Sequence, residues 1–186
     1  MSNELLKRLG PLSRLAGIWE GKNGDDTAPS DDRGTENNRF RERMEFEPFG
    51  PVNNHEQELY GLRYKTTACR IGEPDPFHEE LGYWLWDAKA NQVMRCFMVP
   101  RGVTILAGGT VSPTDTRFTL SAKLGSPTYG ICSNIFLDQE FKTIEYSLTI
   151  DSPDPTTLVY EEDTVLLIKG SPTPFHHIDK NRLTKI

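Results

Sequence analysis

Leu15-Ala16-Gly17-Ile18-Trp19-Glu20-Gly21 decides the fold class of this chain. Gly-x-Trp-x-Gly reads as a strand in which the glycines permit a bend or a close approach of backbone, while the indole is a large apolar plug. On an opening strand this is a device for closing one end of a β-barrel, and Trp19 is expected to be that plug.

Outward from this stretch, the N-terminal side is the helical part. Leu5, Leu6 and Leu9 are spaced for about two helical turns, and Gly10-Pro11 stops them, so residues 1–14 are expected to hold a short helical segment. On the C-terminal side helix signals fade and strand-like runs follow at close spacing. Phe40, Met44 and Phe46 alternate with Arg41, Arg43 and Glu45, the period-2 pattern of a half-buried strand. Further strands are expected over His55–Cys69, Phe77–Asp87, Gln92–Pro100, Gly102–Val111, Arg117–Ala122, Gly130–Ile135, Phe141–Ile150, Leu158–Ile168 and Pro174–Leu183. Asn23 to Asn38, rich in Gly, Asp, Ser and Asn, reads as a long flexible loop that is either disordered or a lid.

About ten antiparallel strands without crossover helices must close or stack to hide their edges. Several strands are polar on both faces: His78, Glu80, Gly82, Trp84 and Trp86 share one face, and Phe77, Glu79, Leu81, Tyr83 and Leu85 the other. A dry sandwich core does not suit that pattern. The expected architecture is one domain over residues 1–186, a closed all-β antiparallel barrel of about ten strands with a partly polar interior.

Composition narrows the function classes. The 186 residues carry a net charge of −6 and no concentrated basic cluster, which disfavours nucleic acid as a partner. No run approaches the ~20 apolar residues of a membrane span, and no signal-peptide pattern opens the chain. Cys69, Cys96 and Cys132 are odd in number and far apart, as in a cytoplasmic protein with reduced thiols. Association as a homodimer is left open by the sequence.

Three segments are candidates for chemistry. In His78-Glu79-Glu80-Leu81-Gly82-Tyr83, alternation places His78 and Glu80 on one face, either as a cavity-facing pair or as a histidine satisfied at the barrel rim by Glu80. In Phe175-His176-His177-Ile178-Asp179-Lys180-Asn181-Arg182-Leu183, the Lys and Arg of the even face want solvent, so the odd face is expected to look inward. His177 then enters the barrel, as a metal or heme-iron ligand or as a buried histidine tied to Asp179 or Asn181. Arg101, in Pro100-Arg101-Gly102, lies in a turn at a barrel end, where it serves either the turn alone or a ligand's carboxylate. Glu161-Glu162-Asp163 reads as a solvated end, and no catalytic nucleophile pattern is visible.

In these blocks the chain resembles the nitrobindin-like heme-binding β-barrel family, of lipocalin-like and fatty-acid-binding-protein-like architecture, in a longer bacterial branch. The likeness rests on Leu15–Gly21 with Pro29, His78-x-Glu80-x-Gly82-Tyr83, Pro100-Arg101-Gly102 with Gly108-Gly109, and the closing strand with His177. It implies heme b as cofactor, His177 as the axial ligand of the iron, His78 on the distal side, and nitric oxide binding or a peroxynitrite isomerase-like activity. The alternative is a non-heme carrier of a fatty acid or another small amphipathic molecule, held by Arg101 in a cavity lined by Phe46, Trp84 and Phe97.

Overall fold

The structure, a computed structural model, describes residues 3–186. A helix α1 (Asn3–Arg8) and a 3-10 turn (Gly10–Arg14) lead into β1 (Gly17–Pro29), β2 (Thr35–Asn54), β3 (Gln57–Arg70), β4 (His78–Asp87), β5 (Gln92–Val99) and β6 (Val103–Thr110). Then follow β7 (Arg117–Lys123), the short β8 (Ile131–Ser133), helix α2 (Ile135–Glu140), β9 (Phe141–Asp154), β10 (Thr157–Ile168) and β11 (Phe175–Lys185). Neighbours run β5-β4-β3-β2-β1-β11-β10-β9-β7-β6, all antiparallel, and the β5–β6 pairing closes the ring of ten. β8 is an eleventh strand laid on β6.

The alternation along the strands builds the interior. Phe40, Met44 and Phe46 of β2 are buried, as are Tyr64 of β3 and Trp84 and Trp86 of β4, whereas Leu81 and Tyr83 face outward. One end of the barrel is stopped by the N-terminal segment. Leu9, Leu12 and Leu15 are fully buried against Trp86, Val93 and Leu183, and Trp19 is fully buried beside them. The Trp19 indole donates to the Leu15 carbonyl at 2.7 Å, so the plug keeps its one polar atom satisfied. Gly10, with φ +55°, lies under the Trp86 ring, and a Cβ there would come within 2.5 Å of its Nε1. The helical end is closed by packing; the opposite end is the mouth.

Two expectations about segments are corrected. Residues 23–38 are not a long loop: β1 and β2 pair throughout, from Gly24↔Phe40 to Pro29↔Thr35, and turn only over residues 30–34. Their polar composition reflects a strand ribbon that borders the mouth, with Asp26, Ala28 and Glu36 on the side that lines a partly polar cavity. The strand expected over Gly130–Ile135 ends at Ser133, and Asn134 caps α2 by accepting from the Leu137 amide at 3.0 Å. Six residues are too short for periodicity to reveal a helix.

Candidate functional site

A cavity of about 540 Å³ opens at the mouth and reaches down to a charged floor. Its upper wall is largely apolar, with Phe40, Phe77, Val99, Val103, Phe136 and Phe141 contributing. His78, at the start of β4, and His177, near the start of β11, both line it, four strands apart round the ring. Arg101 lines the rim and donates to the Phe77 carbonyl at 2.8 Å. Phe46, Trp84 and Phe97 line the interior. The alternation of β11 thus sends His177 inward and His176 out, where His176 meets Asp163 at 2.8 Å.

The partner of His177 is neither Asp179 nor Asn181. His177 Nε2 lies 2.8 Å from Oδ1 of Asp26, a residue of the segment expected to be a loop. Asp26 stands opposite Asp179 on the adjacent strand, so it meets His177 across the diagonal, a separation that an imidazole can span. Asp26 is 4% exposed and also accepts from Asn38 Nδ2 at 3.0 Å. Burial opposes its ionisation, but these hydrogen bonds and the nearby charges of His177 and His78 hold its carboxyl below the usual range.

His78 Nε2 stands 3.3 Å from Glu80 Oε1, the rim pairing the alternation allows. Burial works against the charged ring, yet the Glu80 hydrogen bond and charge raise its pKa above the ordinary value. Glu80 belongs to a larger network. Arg95, on the inner face of β5 between Val93 and Phe97, bonds Glu80 and Tyr146, and reaches Glu162 Oε2 at 2.6 Å and Tyr64 at 3.0 Å. Tyr64 donates to Glu80 at 2.6 Å, and Tyr146 to Glu162 at 2.7 Å. The guanidinium lies 4.0 Å from the centroid of the Phe97 ring.

Glu162 is therefore not at a solvated end: it faces inward and is tied to Arg95, while Asp163 faces out. Adjacent acids do point to opposite faces of β10. The inward one pairs with a buried cation. The sequence reading missed Arg95; the signal that marks it is a lone charge on an apolar strand face, Val93-x-Arg95-x-Phe97-x-Val99.

The floor carries more acid than base. Asp26, Asp179 and Glu162 sit side by side on β1, β11 and β10. Three adjacent carboxylates do not all ionise in a low dielectric. Asp26 and Glu162 have partners; Asp179 has no hydrogen-bond partner among the described residues, and burial plus the charges of Glu162 and Glu42 push its carboxyl well above the usual range. Deeper still, Glu42 accepts from Thr66 at 2.9 Å, Tyr160 at 2.9 Å and Asn181 at 3.1 Å. Burial outweighs those bonds and raises it to about 7.

A family model, "THAP4-like, heme-binding beta-barrel domain", matches residues 8–185. The chain belongs to that family. Its barrel is similar to the crystal structure of Rv2717c from M. tuberculosis, at 19% identity and a TM-score of 0.67, over 96% of this chain and 97% of that one. It also aligns, with a TM-score of 0.26 and 12% identity, to a beta-barrel-like protein of domain of unknown function DUF1849 from Brucella abortus, over 91% of this chain and 97% of that one. None of the curated proteins matches the chain. Membership makes heme the first occupant to test against this cavity. Among the described residues, no group of three or more His, Cys, Asp or Glu is arranged to hold a bare metal ion, and no helix is long and apolar enough to cross a membrane.

Proposed function

We propose that this barrel binds heme b at the mouth of its cavity, with His177 as the axial ligand and His78 on the distal side. One observation carries the reading: two histidines, four strands apart, enter a single cavity whose mouth is walled by aromatic and aliphatic side chains. The residues suit the group. Imidazole is a common axial ligand of heme iron. Phe40, Phe77, Val103 and Phe141 offer the apolar contact on which burial of a porphyrin rests, and Arg101 at the rim suits a propionate. Family membership supports the same reading.

An iron held by one histidine supplies an open coordination position, the requirement for binding nitric oxide or for isomerising peroxynitrite to nitrate. The chain's own contribution is on the other side. His78, backed by Glu80, is equipped to hold a proton at the cavity wall.

The floor argues against a fatty acid. Arg95, the deep cation, is already held by Glu80 and Glu162, and an acyl tail directed inward meets Glu42 and Asp179. A carboxylate at Arg101 leaves the tail facing that floor.

Titration with hemin tests the proposal. Wild-type protein is expected to develop a Soret band, and His177→Ala to weaken binding at least about tenfold, while His78→Ala retains the band but alters its response to added nitric oxide. Absence of a Soret band in wild type, or indifference to His177→Ala, overturns the assignment.

A further inference from the structure

His177 Nε2, a nitrogen that iron would take, is bonded to Asp26. We propose that Asp26 is a latch on the axial histidine: in the heme-free barrel it occupies that nitrogen, and loading requires the Asp26–His177 bond to open. This rests on the heme reading given above.

The bond is built into the wall. Asp26 is on β1 opposite Asp179 of β11, so His177 is its diagonal neighbour on the adjacent strand, within reach of its side chain. Its second oxygen is held by Asn38, and Asn38 is held in turn by Arg70 Nε at 3.0 Å. Asp26 is thus a buried side chain with a partner on each carboxylate oxygen. Among the described residues, His177 makes its one side-chain hydrogen bond with Asp26, through Nε2. A ligating histidine ordinarily gives its other ring nitrogen to a carboxylate, which strengthens ligation. Iron at Nε2 competes with Asp26, and iron at Nδ1 would make Asp26 an orienting partner. The two arrangements predict opposite signs for loss of the carboxylate.

The latch predicts that Asp26→Ala binds hemin more tightly than wild type, on the order of tenfold or more, since a hydrogen bond to a charged group is lost from the heme-free state alone. Asp26→Asn, nearly isosteric and uncharged, falls between the two and serves if Asp26→Ala does not fold. The gain disappears in Asp26→Ala/His177→Ala. A heme-free readout accompanies the titration: carbethoxylation of His177 by diethyl pyrocarbonate, followed by mass spectrometry, is faster in both Asp26 variants. Equal or weaker hemin binding by the Asp26 variants overturns the latch while leaving the heme reading intact. No Soret band in any variant overturns the heme reading, and an unchanged carbethoxylation rate overturns the latch without reference to heme.

Discussion

Arg95 Nη1 lies 2.6 Å from Glu162 Oε2, joining β5 to β10 through the middle of the barrel. Since Arg95 also bonds Glu80 on β4, one guanidinium pairs with two carboxylates brought in from different sides of the ring. Removing one member of such a group leaves charges without partners, and that usually costs more than the intact group contributes.

Arg95→Met is accordingly expected to destabilise the fold by about 3–5 kcal/mol, measured by urea denaturation. Methionine fills similar space against Phe97, so the loss reports the stranded carboxylates and not a void. Adding Glu80→Gln and Glu162→Gln to Arg95→Met should recover much of the loss. Failure of that rescue would mean that packing, not charge, dominates.

Glu42 supplies a pH dependence of defined sign. Its folded pKa, about 7, lies above the ordinary 4.5, so its proton stabilises the fold fully below the lower value, and that contribution is lost as pH rises through the upper one. Glu42→Gln, neutral throughout, should therefore gain up to about 3 kcal/mol on wild type between pH 4 and pH 8. Urea midpoints at the two pH values measure it; a pH-independent difference would show that Glu42 titrates normally. Glu80 acts oppositely. Burial favours its protonated form, but Arg95 and His78 overcome this and hold it below the usual range, so its contribution is lost on acidification.

The mouth offers a test of local dynamics. Glu140, at the end of α2, bonds Arg33 at 2.7 Å and Lys169 at 2.6 Å, tying the β1–β2 turn and the β10–β11 turn to a helix with no buried residue. Exposed pairs of this kind contribute little globally, so Glu140→Ala should shift overall stability by less than about 1 kcal/mol. Amides of α2 should nevertheless exchange with deuterium several-fold faster, seen by mass spectrometry. Unchanged exchange would assign the hold on α2 to the Asn134 cap instead.

At the closed end, Trp19→Ala should cost about 3–5 kcal/mol, because a fully buried indole and its bond to Leu15 are both lost. A loss under about 1 kcal/mol in thermal or urea unfolding would remove Trp19 from its role as plug.

The alternation of apolar and polar residues was enough to read the barrel, the plug and the sides that His176 and His177 face. A strand's period of two assigns every side chain to inside or outside without knowledge of its neighbours. That is why His177 was legible as an inward residue and His176 as an outward one, while His78 was left between cavity and rim. The partners were not legible. Asp26 lies 151 positions from His177, and Glu162 lies 67 from Arg95. Which inward groups meet depends on strand order, register and ring closure, and neither residue carries a local sign of them. Composition also misled at residues 23–38, where polar strands bordering an open mouth read as loop. The sequence alone determined that the chain is a barrel and that His177 enters it. The tertiary structure alone decided that Arg95 joins Glu80 to Glu162 and that Asp26 holds His177, because a closed sheet juxtaposes strands far apart in the chain.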